Sequence, residues 1–265
     1  MFHVKHPGSP SFRPPSVFHV KHSGLPCYAL AMRTADSISS GLLQMGVPIT
    51  AEQIDLLAEH WEAVVAQNRT LNLTSVRPED GVRLHILDSC TAADALAAAP
   101  PGRFADIGSG AGYPGIVLSV LSGRTVELVE STKKKATFLQ AVIGSLCLNG
   151  TVRPIRAEQL ACEHPGEYAA VTARAVAPLA SLVELAAPLL QPAGLLICLK
   201  GAPSSEEAVA GDVAAGMCGM SPGRATPVSV PGLDARRTLV VYARTGDSRV
   251  ELPRRAGMAQ TKPLA

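Results

Sequence analysis

From residue 103 onward, short apolar runs alternate with amphipathic stretches in the order strand, helix, strand, helix: Phe104 to Ile107, Gly115 to Leu121, Thr125 to Val129, Lys133 to Leu146, Val152 to Arg156, Ala169 to Ala173, Ser181 to Leu190, Gly194 to Lys200. That alternation predicts a mostly parallel sheet covered on both faces. Two later apolar runs, Pro227 to Val230 and Thr238 to Ala243, lie close enough to pair as an antiparallel hairpin on its edge. Ahead of this domain, Thr50 and Gln53 have capping-box spacing, and Ile54, Leu57, Ala58, Trp61, Val64 and Val65 then recur at helical spacing. This helix is expected to end near Asn68, and a second helical stretch runs from about Gly81 to Ala98, closed by Pro100-Pro101-Gly102. Residues 1–40 are rich in Pro, Ser and Gly, lack periodicity and are expected to be disordered. The chain thus divides into an extension over 1–40, a helical segment over 41–102, the α/β domain over 103–245 and a basic tail over 246–265.

Composition narrows the class. With 47% hydrophobic and 17% charged residues in 265, the chain can fill a sizeable core. Its longest uncharged apolar stretch, Leu185 to Leu199, is broken by Pro188, Pro192 and Gly194, which excludes a spanning helix there. The start lacks the apolar segment of a secretory signal, so a cytoplasmic location is expected. Six scattered cysteines (Cys27, Cys90, Cys147, Cys162, Cys198, Cys218) form no C-x-x-C pair, indicating neither a disulfide framework nor a zinc site. The net charge of +2 is uneven: residues 1–35 carry +4, residues 236–265 carry +5 and the middle carries −7. A polyanion would meet the ends first, unless these are simply solvated.

The chemistry concentrates after the first strand, in Asp106-Ile107-Gly108-Ser109-Gly110-Ala111-Gly112-Tyr113-Pro114-Gly115. Glycines there admit positive φ and let a ligand approach the backbone. Gly110, Gly112 and Gly115 match G-x-G-x-x-G, and Glu130 lies 20 residues past Gly110, so a dinucleotide site is admissible. Asp106 argues against it, because a carboxylate beside the loop repels a pyrophosphate but suits the ammonium of S-adenosylmethionine. Glu130 can accept ribose hydroxyls in either case.

Taken with Asn68 to Thr74 (NRTLNLT), Arg83 to Ser89 (RLHILDS), Lys134 to Leu139 (KKATFL), Arg156-Ala157-Glu158, Thr172 to Leu179 (TARAVAPL) and Leu199-Lys200-Gly201, this chain resembles the bacterial small-subunit ribosomal RNA methyltransferase G family over residues 42–244. The resemblance implies a class I S-adenosylmethionine-dependent methyltransferase fold, Rossmann-like, with N-terminal helices. It also implies methylation of N7 of one guanine in the decoding-region loop of 16S rRNA, on the naked rRNA or the 30S subunit. Matched residue by residue, its cofactor contacts fall on Gly108, Tyr113, Ala157, Glu158 and Arg174. Tyr113 and Thr137 depart from common choices, and the long extension is atypical. Physically, a small residue followed by an acid, as in Ala157-Glu158, can frame an adenine, and Arg174 can hold a cofactor carboxylate or an RNA phosphate.

Guanine N7 has a free lone pair, so no general base is required and no catalytic residue or metal is assigned. Positioning carries the catalysis. Arg83, His85, Lys200, Arg236 and Arg237 are candidate RNA contacts, while Trp61 reads as core and a monomer is expected. A NAD-dependent oxidoreductase would need a catalytic His or Tyr/Lys set that Thr172 to Leu179 lacks. A non-catalytic RNA-binding protein would not require Asp106 and Glu130 around a glycine loop. The repeat Phe-His-Val-Lys-His at Phe2 to His6 and Phe18 to His22 is two copies only, too few for a stacked array. It offers four imidazoles for a metal, but its codons can also form a DNA palindrome. On that second view residues 1 to about 31 are dispensable, or lie upstream of a true start at Met32 or Met45.

Overall fold

The computed structural model describes residues 25–265, so the repeats and the rest of 1–24 lie outside the described residues. Seven strands form one sheet in the order β3-β2-β1-β4-β5-β7-β6. They are β1 (Phe104–Ile107), β2 (Val126–Val129), β3 (Gly150–Arg153), β4 (Tyr168–Arg174), β5 (Leu190–Lys200), β6 (Arg224–Val228) and β7 (Arg237–Ala243). The first five pair in parallel, and β7 runs antiparallel to both β5 and β6, giving the expected edge hairpin. β1 is buried at all four positions because strands flank it on both sides and helices cover both faces. Chain order reverses between β1 and β4, and such a reversal leaves a crevice at the carboxyl edge of the sheet.

One face is covered by α1 (Leu25–Met45), α2 (Ala51–Leu71), α3 (Asp88–Cys90), α4 (Ala93–Ala98), α5 (Gly115–Ser122) and α6 (Lys133–Ser145), around Trp61, Phe104, Ile116 and Leu139. The other carries α7 (Ala157–Glu163), α8 (Leu179–Ala186), α9 (Ser205–Met217) and α10 (Met258–Thr261), around Leu160, Leu182 and Tyr242. The capping box closes as the spacing predicts: the Gln53 N–H donates to Thr50 Oγ1 at 3.2 Å and the Thr50 N–H to Gln53 Oε1 at 2.9 Å.

Four sequence expectations need correction. The disorder expected through residue 40 gives way to α1 from Leu25, because Ile38 and Leu42 are fully buried and Gly41 lies against Leu87. A start at Met45 would delete both core residues. The helix expected over Gly81 to Ala98 is broken into a 3-10 turn (Pro78–Asp80), a π-helical segment (Val82–Leu87), α3 and α4. α9 was not foreseen, since its inward face is Gly211, Ala214 and Ala215 while its larger apolar residues Val209 and Val213 point outward. The segment over 246–265 is no free tail: it packs on α7 and α8, with Ala259 buried.

Candidate active site

The loop between β1 and α5 turns on three glycines with positive φ, Gly108 (+69°), Gly110 (+57°) and Gly112 (+97°). A Cβ on Gly108 would lie 2.6 Å from Val176 Cγ2, and one on Gly112 2.4 Å from Ile116 Cδ1. Only glycine meets both demands. Asp106 is fully buried; its Oδ1 accepts from Thr172 Oγ1 at 2.8 Å and its Oδ2 from the Gly115 N–H at 3.3 Å. Burial raises its pKa to about 6, although these bonds favour the carboxylate. The expected hydrogen bond between the Asp106 carboxylate and a cofactor ammonium is not what the geometry offers: the side chain is fully buried and turned inward, with donors from β4 and the α5 N-terminus. It fixes the loop's shape.

Glu130, at the end of β2, does the same from the other side. Its Oε2 accepts from the Gly110 N–H at 3.0 Å and its Oε1 from the Thr132 N–H at 2.7 Å. Each oxygen keeps a second lone pair, so the carboxylate can still accept hydroxyls. Beside the loop, Ile107, Gly108, Val129, Ile155, Ala157, Val176 and Leu185 line a slot of ≈ 80 Å³, with Glu158 and the exposed Ser131, Arg156 and Gln260 completing the lining. Aliphatic walls with a few polar groups suit a purine. Loop, carboxylate and slot together fit S-adenosylmethionine, although a whole nucleoside-sized ligand needs roughly 300 Å³ or more, so the walls must part to admit it.

Arg174 does not face that slot. Its Nη1 donates to Leu84 O at 2.9 Å and to Asp88 Oδ2 at 3.1 Å, and its Nη2 donates to His85 Nδ1 at 2.8 Å. Its guanidinium also lies 5.3 Å from the Tyr113 ring centre. The reason is the π-helical turn, which brings the Leu84 carbonyl and the His85 ring to the same side as Asp88. Because arginine only donates, His85 must accept on Nδ1 and carry its proton on Nε2, which is 2.7 Å from Thr74 Oγ1. Asn68 completes the chain by bonding both the Thr74 N–H and the Thr74 carbonyl. Tyr113 is sandwiched, with His85 stacked at 4.6 Å on an 8° tilt and His60 at 4.7 Å, and its buried hydroxyl has no hydrogen-bond partner among the described residues. Four motifs far apart in sequence thus meet at one cluster. Sequence reasoning missed His60, whose only signal was a polar residue on the apolar face of α2.

The expected RNA contacts fare unevenly. His85 is buried, Arg83 bonds Asp80 at 2.5 Å, Lys200 pairs with Glu207 at 2.7 Å and Arg237 donates to Asp88 at 2.8 Å. These are committed to intramolecular carboxylates or to the core, and only Arg236 is exposed and unpaired. Trp61 is core, as expected. Arg156, in the slot lining at the start of α7, and Lys133 and Lys134, at the start of α6 two and three residues after the lining residue Ser131, are exposed and lack a carboxylate partner among the described residues.

A family model described as rRNA small subunit methyltransferase G matches residues 53–237. Among curated proteins, the ribosomal RNA small subunit methyltransferase G of Pelotomaculum thermopropionicum is 36% identical over 235 residues, covering 87% of this chain and 98% of its own. That of Roseiflexus castenholzii is 38% identical over 224 residues, covering 83% and 95%. Among solved structures, P. horikoshii TYW2 in complex with MeSAdo aligns at a TM-score of 0.51 with 10% identity, covering 61% of this chain and 63% of that one, which speaks to the fold alone.

Proposed function

The chain belongs to the rRNA small subunit methyltransferase G family, and from that premise we propose that it moves the methyl group of S-adenosylmethionine to N7 of one guanine in the decoding-region loop of 16S rRNA. It is a methyltransferase, its substrate is small-subunit rRNA and its cofactor is S-adenosylmethionine. The observation that carries the site is the Gly110 N–H to Glu130 bond, which sets the backbone of a glycine loop at the point where strand order reverses.

S-adenosylmethionine supplies a methyl group on a cationic sulfonium. The protein's part is to hold, orient and dehydrate. Gly108 and Gly110 give backbone access, Glu130 presents carboxylate lone pairs, and Ala157, Ile155 and Val176 wall an apolar slot. Since guanine N7 needs no deprotonation, alignment of the lone pair with the methyl carbon is enough, and positioning alone can contribute about 7–11 kcal/mol. Charge disperses as transfer proceeds, so a dry, aliphatic surround favours it. A loop guanine is reached by extrusion costing a few kcal/mol. Phosphates of that loop meet Lys133, Lys134, Arg156 and Arg236 rather than the internally paired basic residues. The reading also takes the protein to act as a monomer without a metal. Calorimetry tests the site: S-adenosylmethionine binds in a one-to-one ratio and NAD does not, whereas binding of NAD in its place overturns the assignment.

A further inference from the structure

Beyond β7 the chain packs against α8 and α7 and brings Gln260 to the slot. Three contacts anchor it there. Arg254 donates to both oxygens of Glu184, at 2.6 and 2.5 Å, and Glu184 is only 3% exposed. Ser181 Oγ donates to the Ala259 carbonyl at 2.6 Å. The Gly257 N–H donates to Glu158 Oε1 at 2.7 Å, joining residues 99 apart in sequence. The first two fix α10 on α8; the third reaches α7 at the acid beside Ala157. Gln260 then stands in the lining of the slot with Gly108, Ala157 and Glu158.

We propose that residues 254–261 form a wall of the S-adenosylmethionine site, with Gln260 as a cofactor-contacting residue and Gly257 as a positioning residue that aims Glu158. This rests on the cofactor reading above. A glutamine amide offers a donor and an acceptor side by side, which complements the edge of an adenine. The Gln260 amide has no partner among the described residues and is exposed at the slot, so it can meet a ligand. Glu158 gives one oxygen to Gly257 and keeps the other for the ligand, and its orientation is set by a segment that the charge pattern alone would have marked as solvated. Ordering this segment costs backbone entropy at every residue. The bidentate Arg254–Glu184 pair and the Ser181 bond hold the segment on α8, and the Gly257 bond ties it to Glu158 in the slot lining.

The test uses the full chain, a chain ending at Arg255, which keeps the Arg254 to Glu184 pair, and Gln260→Ala. Calorimetric affinity for S-adenosylmethionine and S-adenosylhomocysteine is expected to fall tenfold or more on truncation. Gln260→Ala, which leaves every anchor in place, should lose about two- to tenfold, the worth of one hydrogen bond. In the full chain, hydrogen exchange at the Gly257 amide should slow on adding either ligand. If the truncated chain does not fold, Gln260→Ala and the exchange measurement decide the matter. Unchanged or tighter binding by Gln260→Ala, with no slowing at Gly257, overturns the wall. Failure of the full chain to bind either ligand removes instead the cofactor reading beneath it.

Discussion

Nη2 of Arg174 donates to Nδ1 of His85 at 2.8 Å, and this one bond fixes the tautomer of a buried ring that stacks on Tyr113 of the glycine loop. Through it, the end of β4 is coupled to the π-helical turn and to the loop. Arg174→Ala removes three donor contacts but leaves Asp88 its bond to Arg237. The expected cost is about 2–3 kcal/mol, less than a wholly broken buried pair. Arg174→Lys can recover the Asp88 contact but not the fork that also reaches His85 and Leu84. Denaturant titration of both variants should place lysine between alanine and the parent; equal stability for parent and alanine contradicts the coupling.

Stability should depend on pH through His60. Burial lowers its pKa from 6.5 to about 4, so between those values the unfolded chain takes a proton that the folded chain refuses. The stabilisation is complete above pH 6.5 and is lost as pH falls toward 4, amounting to about 3 kcal/mol. His85, lowered to about 3 by burial and then by the Arg174 charge, acts in the same direction. Asp106 opposes them: burial raises it from 3.8 to about 6, and its contribution is lost as pH rises through that range. His60→Phe isolates the first effect. Thermal unfolding followed from pH 7 to pH 4 should show a shallower decline in the variant than in the parent, and parallel curves would refute the assignment.

Gly108→Ala places a Cβ at a φ of +69° and 2.6 Å from Val176. The backbone cost is about 1–2 kcal/mol. Cofactor affinity should fall at least tenfold, because the loop must shift or push Val176 into the slot. A calorimetric affinity within twofold of the parent would count against the loop.

RNA binding should weaken with salt, and each phosphate contact to single-stranded RNA contributes about 0.7 to the log-log slope. Lys133→Ala, Lys134→Ala and Arg156→Ala together should flatten the slope by about 2. Arg254→Ala should leave the slope alone while lowering stability, since its guanidinium is bound to Glu184. The reverse pattern, measured by filter binding at several salt concentrations, would put the RNA on the C-terminal segment.

The sheet was readable in the sequence because aliphatic runs such as Phe104 to Ile107 and Thr125 to Val129 have no other use at that length. The glycine loop was readable because glycine, Asp106 and Glu130 each answer a local demand. What was not readable depended on distant partners. Arg174 looked free to meet a ligand until the π-helical turn supplied His85 and the Leu84 carbonyl. The basic stretch over 246–265 read as a tail because the charge pattern does not show that Arg254 binds Glu184, 70 residues away. α9 escaped because glycine and alanine form its buried face and give no apolar period.

The most direct measurement uses 30S subunits and naked 16S rRNA lacking the modification. Each is incubated with the protein and S-adenosylmethionine labelled in its methyl group, followed by nuclease digestion and mass analysis of the nucleosides. Label in 7-methylguanosine, from a single guanine of the decoding-region loop, and much less of it with Gly108→Ala at a cofactor concentration that does not saturate the variant, is the predicted result. Label at another base or atom, or none with either substrate under conditions where the cofactor binds, would contradict the account.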